Sequence, residues 1–324
     1  MEGIPNMKTA LVLGAGGFIG SHLVKRLREE GFWVRAADIK LPEYWNTYAH
    51  EFIVEDLRNK DFVEKVLNMR FDEVYQLAAD MGGAGYIFTG EHDSEVMTNS
   101  VLINVNVLKQ AEKVGVKSVF FSSSACMYPE YAQESEDNPG LKESDAYPAD
   151  PDSEYGWEKL FSERLYLSYN RNYGMKNKVA RYHNIYGPYS TWQGGKEKAP
   201  AAICRKVIEA TDEIEIWGNG EQTRSFLYID ECIEATLRLM RSDFSGPVNI
   251  GSEERVSINE LVDIACSIEN KQLNKKHIPG PTGVRGRNSN NDLIREKLNW
   301  DYSMSLSEGI NKLYTWIQGE INEH

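Results

Sequence analysis

The run Gly14-Ala15-Gly16-Gly17-Phe18-Ile19-Gly20 follows the apolar stretch Thr9–Leu13 and precedes residues 21–30, where Leu23, Val24 and Leu27 recur at helical spacing. A strand, a glycine turn and a helix in immediate succession restrict the chain to few folds. Gly14 permits the tight turn, Gly17 lets a phosphate approach the backbone, and Gly20 lets the helix pack on the strand. The helix N-terminus, with Phe18 and Ile19 at the turn, then faces an anion. The spacing is G-x-x-G-x-x-G, with Gly16 as an additional glycine. Glycine spacing alone is compatible with a turn that binds nothing. Asp38 sharpens it by ending the next apolar stretch, residues 33–37. A carboxylate there accepts from both ribose hydroxyls and repels a 2′-phosphate, which favours NAD over NADP. Asp56, ending a third stretch, either contacts adenine or caps the helix that follows. Leu77-Ala78-Ala79 closes a fourth, where small residues let a dinucleotide lie close.

Further strands are expected at residues 52–54, 73–77, 118–121 and 178–181, with helices at 61–69, 99–114 and 153–172. Alternation of this length predicts an α/β fold with a doubly wound parallel Rossmann sheet. The rhythm breaks after Arg181. Residues 182–195 are rich in Gly, Tyr and Asn and read as loops over a site. A strand–helix unit recurs at 225–241, and 256–270 and 293–324 read as helix-rich. The expected division is an NAD-binding part, residues 1–183 plus about 225–252, and a smaller helix-rich substrate lobe, residues 184–224 and 253–324.

The 324 residues, 41% hydrophobic, are ample for a large core. A net charge of −13 argues against a nucleic-acid or anionic-membrane partner, while leaving an anionic small ligand open. Cys126, Cys204, Cys232 and Cys266 lie far apart with no C-x-x-C pair, so neither a metal site nor a disulfide framework is expected. A reducing, cytoplasmic setting fits that usage. The N-terminal apolar run, residues 9–20, is broken by four glycines, lacks a small-residue cleavage site and is too short for a bilayer. Residues 1–6 read as a disordered leader.

Ser123-Ser124-Ala125-Cys126, followed by Tyr155-Gly156-Trp157-Glu158-Lys159, carries the chemistry. Tyr-x-x-x-Lys on a helix puts a phenol and an ammonium one turn apart, and the ammonium is expected to favour the phenolate and lower the tyrosine pKa. Such a tyrosine takes a proton from an alcohol while a nicotinamide takes the hydride. Ser124 can hold the same oxygen. The alternative, two helix-surface residues, is weakened by a Ser-Ser pair at a strand end, where open α/β sheets place their sites. Cys126 is either a small core residue or an acid/base acting on carbon. A base on one face of a ring carbon needs an acid on the other. Lys198, after the glycines of Gly194-Gly195-Lys196-Glu197-Lys198, is the candidate, with a solvated lysine as the alternative. His183 is a rival acid, or orients the substrate loop beside Asn184.

At these residues the chain resembles the extended short-chain dehydrogenase/reductase (NAD-dependent epimerase/dehydratase) family of nucleotide-sugar enzymes. The similarity extends over nearly the whole chain. It is carried by Ala78-Ala79-Asp80-Met81-Gly82-Gly83, Ser123-Ser124-Ala125-Cys126-Met127-Tyr128-Pro129-Glu130, His183-Asn184-Ile185-Tyr186-Gly187-Pro188, Gly195-Lys196-Glu197-Lys198-Ala199-Pro200, Gln222-Thr223-Arg224-Ser225-Phe226 and Gly283-Val284-Arg285-Gly286-Arg287. Within the family, the members that invert two ring carbons of a GDP-sugar are the most similar in these segments. The resemblance implies Cys126 and Lys198 as the acid/base pair at those carbons. It implies Tyr155 as the base for transient C4 oxidation, assisted by Lys159 and Ser124, with NAD bound throughout. Asn184, Lys206, Gln222, Arg224 and Arg287 are implied to hold the sugar diphosphate, with Gly82, Ala125, Glu197, Ala199 and Thr223 lining the substrate site. Two arginines and a lysine suit a pyrophosphate. A homodimer through the helices at 99–114 and 153–172 is implied as well. Two departures stand out: residues 87–96 are longer than the plant pattern by about two, and the chain ends at His324 where plant members carry a C-terminal tail.

Rival readings are a GDP-4-keto-6-deoxysugar 3,5-epimerase/4-reductase, which carries a histidine at the position of Lys198 and prefers NADPH, and a non-catalytic NAD-sensing protein on the same fold. A 4,6-dehydratase needs a carboxylate after the serine, which Ser124-Ala125-Cys126-Met127 does not supply.

Overall fold

The computed structural model describes residues 7–323, so the leader expected over residues 1–6 lies outside the described residues. Thr9–Leu13 forms strand β1 with all five residues buried, as expected of a strand covered on both faces. Trp33–Asp38 (β2), Glu51–Val54 (β3), Glu73–Gln76 (β4), Val119–Ser124 (β5), Lys178–Tyr182 (β6) and the strand Val248–Ile250 join it in one sheet. The order is Val248–Ile250, β6, β5, β4, β1, β2, β3, and all neighbours are parallel. The chain builds outward from β1 in one direction and then from β4 in the other. That reversal leaves a crevice at the carboxyl ends of β1 and β4. The fold is a doubly wound parallel Rossmann sheet.

Six helices matter for the site: Phe18–Glu29 (α1), Lys60–Val66 (α2), Ala84–Ile87 (α3), Asp93–Lys113 (α4), Glu154–Tyr173 (α5) and Ala199–Glu209 (α6). Alternate residues of β1 feed opposite cores. Ala10 and Val12 pack with Leu23, Val24 and Leu27, while Leu11 and Leu13 pack with Val107, Leu108 and Tyr166. α5 opens on Ser153, whose side chain accepts from Gly156 N, and closes on Gly174 at φ 67°, a left-handed stop.

Several boundaries differ from expectation for local reasons. β5 runs to Ser124 because Ser122, Ser123 and Ser124 pair with Ala180, Arg181 and Tyr182, although polarity marked the strand as ended at residue 121. α4 starts at Asp93 rather than residue 99, since Asp93 and Glu95 suit a first helical turn and Val96 is buried. α1 starts at Phe18, directly out of the glycine turn.

The region beyond β6 contains strands as well as helices. Glu213–Trp217 alternates exposed and buried residues and pairs in parallel with Asn274–Ile278. Thr223–Ser225 lies between Arg255–Ser257 and Gly286–Arg287 in a small sheet. α6 packs against the helices Ile258–Ile268 and Leu306–Glu323. No helix among the described residues is long and apolar enough to cross a membrane.

Candidate active site

The glycine turn is tight enough that side chains are excluded. Gly14 has φ 81°, and a Cβ there would stand 2.6 Å from the Ala78 amide nitrogen. A Cβ on Gly20 would overlap Gly14 O, and one on Gly16 would overlap Lys40 O. Gly16 is therefore as constrained as Gly14 and Gly20, whereas a Cβ on Gly17 would stand 3.3 Å from Gly14 O. Asp38 Oδ2 accepts from Gly16 N at 2.9 Å and Oδ1 from Ile39 N at 2.6 Å, so this carboxylate braces the turn. Burial pushes the Asp38 carboxyl up, against the backbone donors Gly16, Ile39 and Lys40. Gly17 caps α1 without a side-chain bond, which leaves the first N–H groups of the helix, from Phe18 and Ile19 on, for an anion. Leu77, Ala78 and Ala79 lie half-buried just past β4, on the same edge. A dinucleotide's pyrophosphate fits this cradle.

Asp56 does not cap α2. Asn59 does, accepting from Asp61 N at 2.9 Å, while Asp56 accepts from Arg58 N at 2.9 Å and pairs with its guanidinium. Arg58 thereby holds the Asp56 carboxyl below its usual range. The local Asp-x-Arg turn wins over the more distant helix end.

Past β5 the chain turns through Ala125–Met127, and Ser124 Oγ accepts from Cys126 N at 3.2 Å. Tyr155 is 7% exposed and lies close enough to Ser124 for the serine hydroxyl to act on its titration. Lys159 is buried, donates to Ser122 O at 3.0 Å, and lies 5.5 Å from the centre of the Tyr155 ring. The expected lowering of the tyrosine pKa is reversed here. Burial pushes the Tyr155 phenol up, and Cys126 and Glu158 add to it, against Ser124 and Arg287. Desolvation of a phenolate outweighs the nearby ammonium, one of whose three N–H groups is engaged by a backbone carbonyl. Burial also lowers the Lys159 pKa, with Glu158 and Cys126 opposing.

Cys126 is half-buried in an apolar cluster with Tyr155, Tyr86, Phe88, Ile87 and Val96. Its sulfur sits where a thiolate would act on the titration of Tyr155, Lys159, Lys198, Arg224 and Arg287 alike. Lys198 is the residue before α6, and Pro200 opens that helix without needing a donor. Removal from water lowers the Lys198 pKa, with Cys126 opposing and Lys159 assisting. An amine so placed gives up its proton more readily than a solvated lysine does.

The remaining predicted residues divide. Arg224 donates to Thr223 O at 2.7 Å and Thr282 O at 3.0 Å, and burial together with Arg287 lowers its pKa to about 10. Gln222 donates to Trp217 O, but its buried Oε1 has no protein partner. Asn184 adopts φ 45°, which Asn tolerates, and its amide donates to Ser225 O at 3.1 Å. Gly82 is buried against Tyr86, whose ring carries Lys196 Nζ 4.1 Å from its centre, so the loop at Gly82 meets the loop before Lys198. Ala125 is buried and Ala199 half-buried. Three side chains are engaged with protein: Lys206 donates to Glu215 O, Thr223 Oγ1 to Glu136 O, and Glu197 accepts from Gly195 N and pairs with Arg205.

His183 does not act as an acid. It is fully buried, its Nε2 meets Asn249 Oδ1 at 2.9 Å, and burial takes its pKa down to about 3. It stays neutral in a polar core with Tyr128, which donates to the same Asn249 oxygen.

Sequence reasoning missed the groups that support these residues. Arg181 and Glu163 form a buried pair at 2.6 Å behind β5, with Ser123 Oγ donating to Glu163 at 3.1 Å. Glu158 Oε1 accepts from Ser162 at 2.5 Å and from Asn104 at 3.3 Å behind Lys159. Gln133 and Asp152 hold Arg287. Apart from Ser162, one helical turn from Glu158, their partners lie 18 to 154 residues away, so no local spacing announces them.

Residues 10–251 match the family model described as NAD dependent epimerase/dehydratase family. The chain belongs to the NAD dependent epimerase/dehydratase family. Within it, the chain is 51% identical over 314 residues to GDP-mannose 3,5-epimerase 1 of Oryza sativa subsp. indica, covering 96% of this chain and 82% of that protein. Against GDP-mannose 3,5-epimerase of Arabidopsis thaliana it is 49% identical over 320 residues, covering 98% and 84%. Among solved members of the fold, the UDP-glucose 4-epimerase of Thermotoga maritima with UDP-glucose superposes with a TM-score of 0.83 at 26% identity, covering 97% of this chain and 99% of that one.

Proposed function

We propose that this chain is an isomerase that inverts C3 and C5 of GDP-D-mannose to give GDP-L-galactose, and GDP-L-gulose where C5 alone is inverted. The observation that carries the reading is one half-buried thiol that packs with Tyr155, accepts from Arg287 Nη1 at 3.1 Å and lies close enough to Lys159, Lys198 and Arg224 for its ionisation to bear on theirs. A simple alcohol dehydrogenation has no use for that thiol. The identity of about half the residues to the two plant GDP-mannose 3,5-epimerases supports the same substrate.

The glycine turn, the N-terminus of α1, Asp38, Leu77, Ala78 and Ala79 would hold NAD, with Asp56 toward the adenine end. Bound there, NAD supplies acceptance and return of the C4 hydride. Tyr155 takes the C4 hydroxyl proton, and Ser124, close beside Tyr155, holds the same oxygen. A ketone at C4 acidifies the hydrogens on C3 and C5. Cys126 and Lys198 then remove a proton from one face and return one to the other. Tyr155 and Ser124 stabilise the enolate oxygen, in a pocket made positive by Lys159, Arg224 and Arg287. Asn184, Lys206, Gln222, Arg224 and Arg287 hold the sugar diphosphate, and the free Oε1 of Gln222 is an acceptor available to the ligand. Residues 1–183 with about 225–252 serve NAD in this reading, and 184–224 with 253–324 serve the nucleotide sugar. Proton NMR of GDP-mannose incubated with the enzyme in deuterated buffer tests it. The H3 and H5 signals should fade as product signals appear, and an unchanged spectrum overturns the assignment.

The protein works as a cytoplasmic homodimer in this reading, as cysteines without disulfides suit. Leu102, Trp157 and Phe161 are 43%, 40% and 49% exposed on α4 and α5. Met97, Val101, Glu154, Trp157 and Phe161 line an open apolar groove of about 630 Å³. Adjacent exposed apolar faces of this kind favour a helical interface. Phe161→Asp should yield monomers by light scattering, because a carboxylate cannot be buried there unpaired. A dimer that survives the substitution puts the interface elsewhere.

A further inference from the structure

Arg287 is held from three sides. Its Nε donates to Gln133 Oε1, its Nη1 to Cys126 Sγ at 3.1 Å and its Nη2 to Asp152 Oδ2 at 3.3 Å. The Arg287 and Asp152 side chains are 4% and 6% exposed, and Gln133 is fully buried. Gln133 is itself pinned, donating at 3.1 Å to the carbonyls of Tyr128 and Pro129, in the loop that carries Cys126. Asp152 immediately precedes the cap of α5, and a Cβ on Gly156 of that helix would overlap Cys126 O. The loop after β5, the start of α5 and the strand Gly286–Arg287 thus meet at one guanidinium.

Arg224 offers the contrast. Its bonds go to backbone carbonyls, and no acidic side chain among the described residues pairs with it. Asp152, by contrast, pairs with Arg287 at 3.3 Å and offsets part of its charge, and the bond to Cys126 is a directed one. A planar guanidinium fixed at two nitrogens aims the third.

We propose that Gln133 and Asp152 are positioning residues that hold Arg287 on the sulfur of Cys126, so that a cationic donor faces this thiol throughout proton transfer. The inference rests on the acid/base reading of Cys126 above. A hydrogen bond donated by a cation favours thiolate over thiol. When the thiolate takes a carbon-bound proton, the electron pair stays on the sugar enolate and the sulfur becomes a thiol. When Lys198 is instead the base on the far face, the thiol gives its proton to the enolate carbon and the resulting thiolate meets the Arg287 donor, which keeps all its own protons.

The test uses the NAD-loaded full chain. Iodoacetamide at neutral pH reads the thiolate of Cys126 selectively, because Cys204, Cys232 and Cys266 are buried. Arg287→Met should slow alkylation about tenfold, Gln133→Met about threefold, and Arg287→Lys should recover part of the loss. In both neutral variants, solvent-deuterium uptake at the ring carbons should fall more than reduction of the bound nicotinamide, followed by its near-ultraviolet absorbance. Unchanged alkylation in either neutral variant with parental circular dichroism overturns the proposal, as do equal losses of uptake and reduction. Should Arg287→Met fail to fold, Gln133→Met carries the same comparison. If alkylation responds as expected while the parent takes up no deuterium from GDP-mannose, the Arg287–Cys126 pairing stands and the proposed reaction falls.

Discussion

Cys126→Ala should remove solvent-deuterium uptake at the ring carbons of GDP-mannose while oxidation at C4 continues. The loss expected for deleting a positioned acid/base is about 10²–10⁴-fold. The two steps separate because different groups carry them. In the proposed reaction Tyr155 and Ser124 share the C4 oxygen, and neither depends on the sulfur for its place: Ser124 is fixed by β5 and Tyr155 by α5. Removing the sulfur also removes a group that pushes the Tyr155 phenol up, so C4 oxidation is not expected to suffer. NMR in deuterated buffer reads the first step, and nicotinamide absorbance in a single turnover reads the second. Undiminished deuterium uptake would hand the proton transfer to another residue. Loss of both steps together would mean that the substitution had disturbed the pocket as a whole.

Glu163→Leu should destabilise the fold by about 3–5 kcal/mol, the usual cost of removing one partner of a buried ion pair. Arg181 and Glu163 are 1% and 2% exposed. Arg181 Nε meets Glu163 Oε2 at 3.0 Å, and its Nη1 meets Tyr128 Oη at 3.1 Å and Glu143 O at 3.0 Å. Burial works against the Arg181 charge, but Tyr128 and Glu163 outweigh it and hold the pKa above the ordinary value. Without Glu163 that charge stays in a dry interior with only neutral partners. Urea unfolding would measure the loss. The double variant Arg181→Met/Glu163→Leu should lose less than Glu163→Leu alone, because it removes the stranded charge. A loss below about 1 kcal/mol for the single variant would mean that water reaches the pair.

Much of this architecture is legible in the chain. β1 is a continuous apolar run, and its burial on both faces follows from that. The glycine turn and Asp38 are readable because each acts within one strand–turn–helix unit. Gly16 is the exception, since its limit is set by Lys40 O across the turn. β5 was read too short because Ser122, Ser123 and Ser124 carry no apolar signal, yet β6 supplies their pairing. The strand Asn274–Ile278 went unread for a similar reason. It is polar and largely exposed, and its partner Glu213–Trp217 lies some sixty residues earlier.

The candidate site follows the same division. Tyr155 and Lys159 announce themselves by helical spacing, and Ser124 by its place at a strand end. By itself the sequence determined the sheet and the cofactor turn and singled out the side chains proposed to react, because periodicity and spacing act over a few residues. Only the tertiary structure decided their charge states and company. Burial raises the Tyr155 phenol that an isolated helix would lower, it leaves His183 neutral, and it sets Arg287 against a thiol 161 positions away in the chain. The free energy of a charge depends on the water it has lost and the groups it meets, and neither is a local property of the chain.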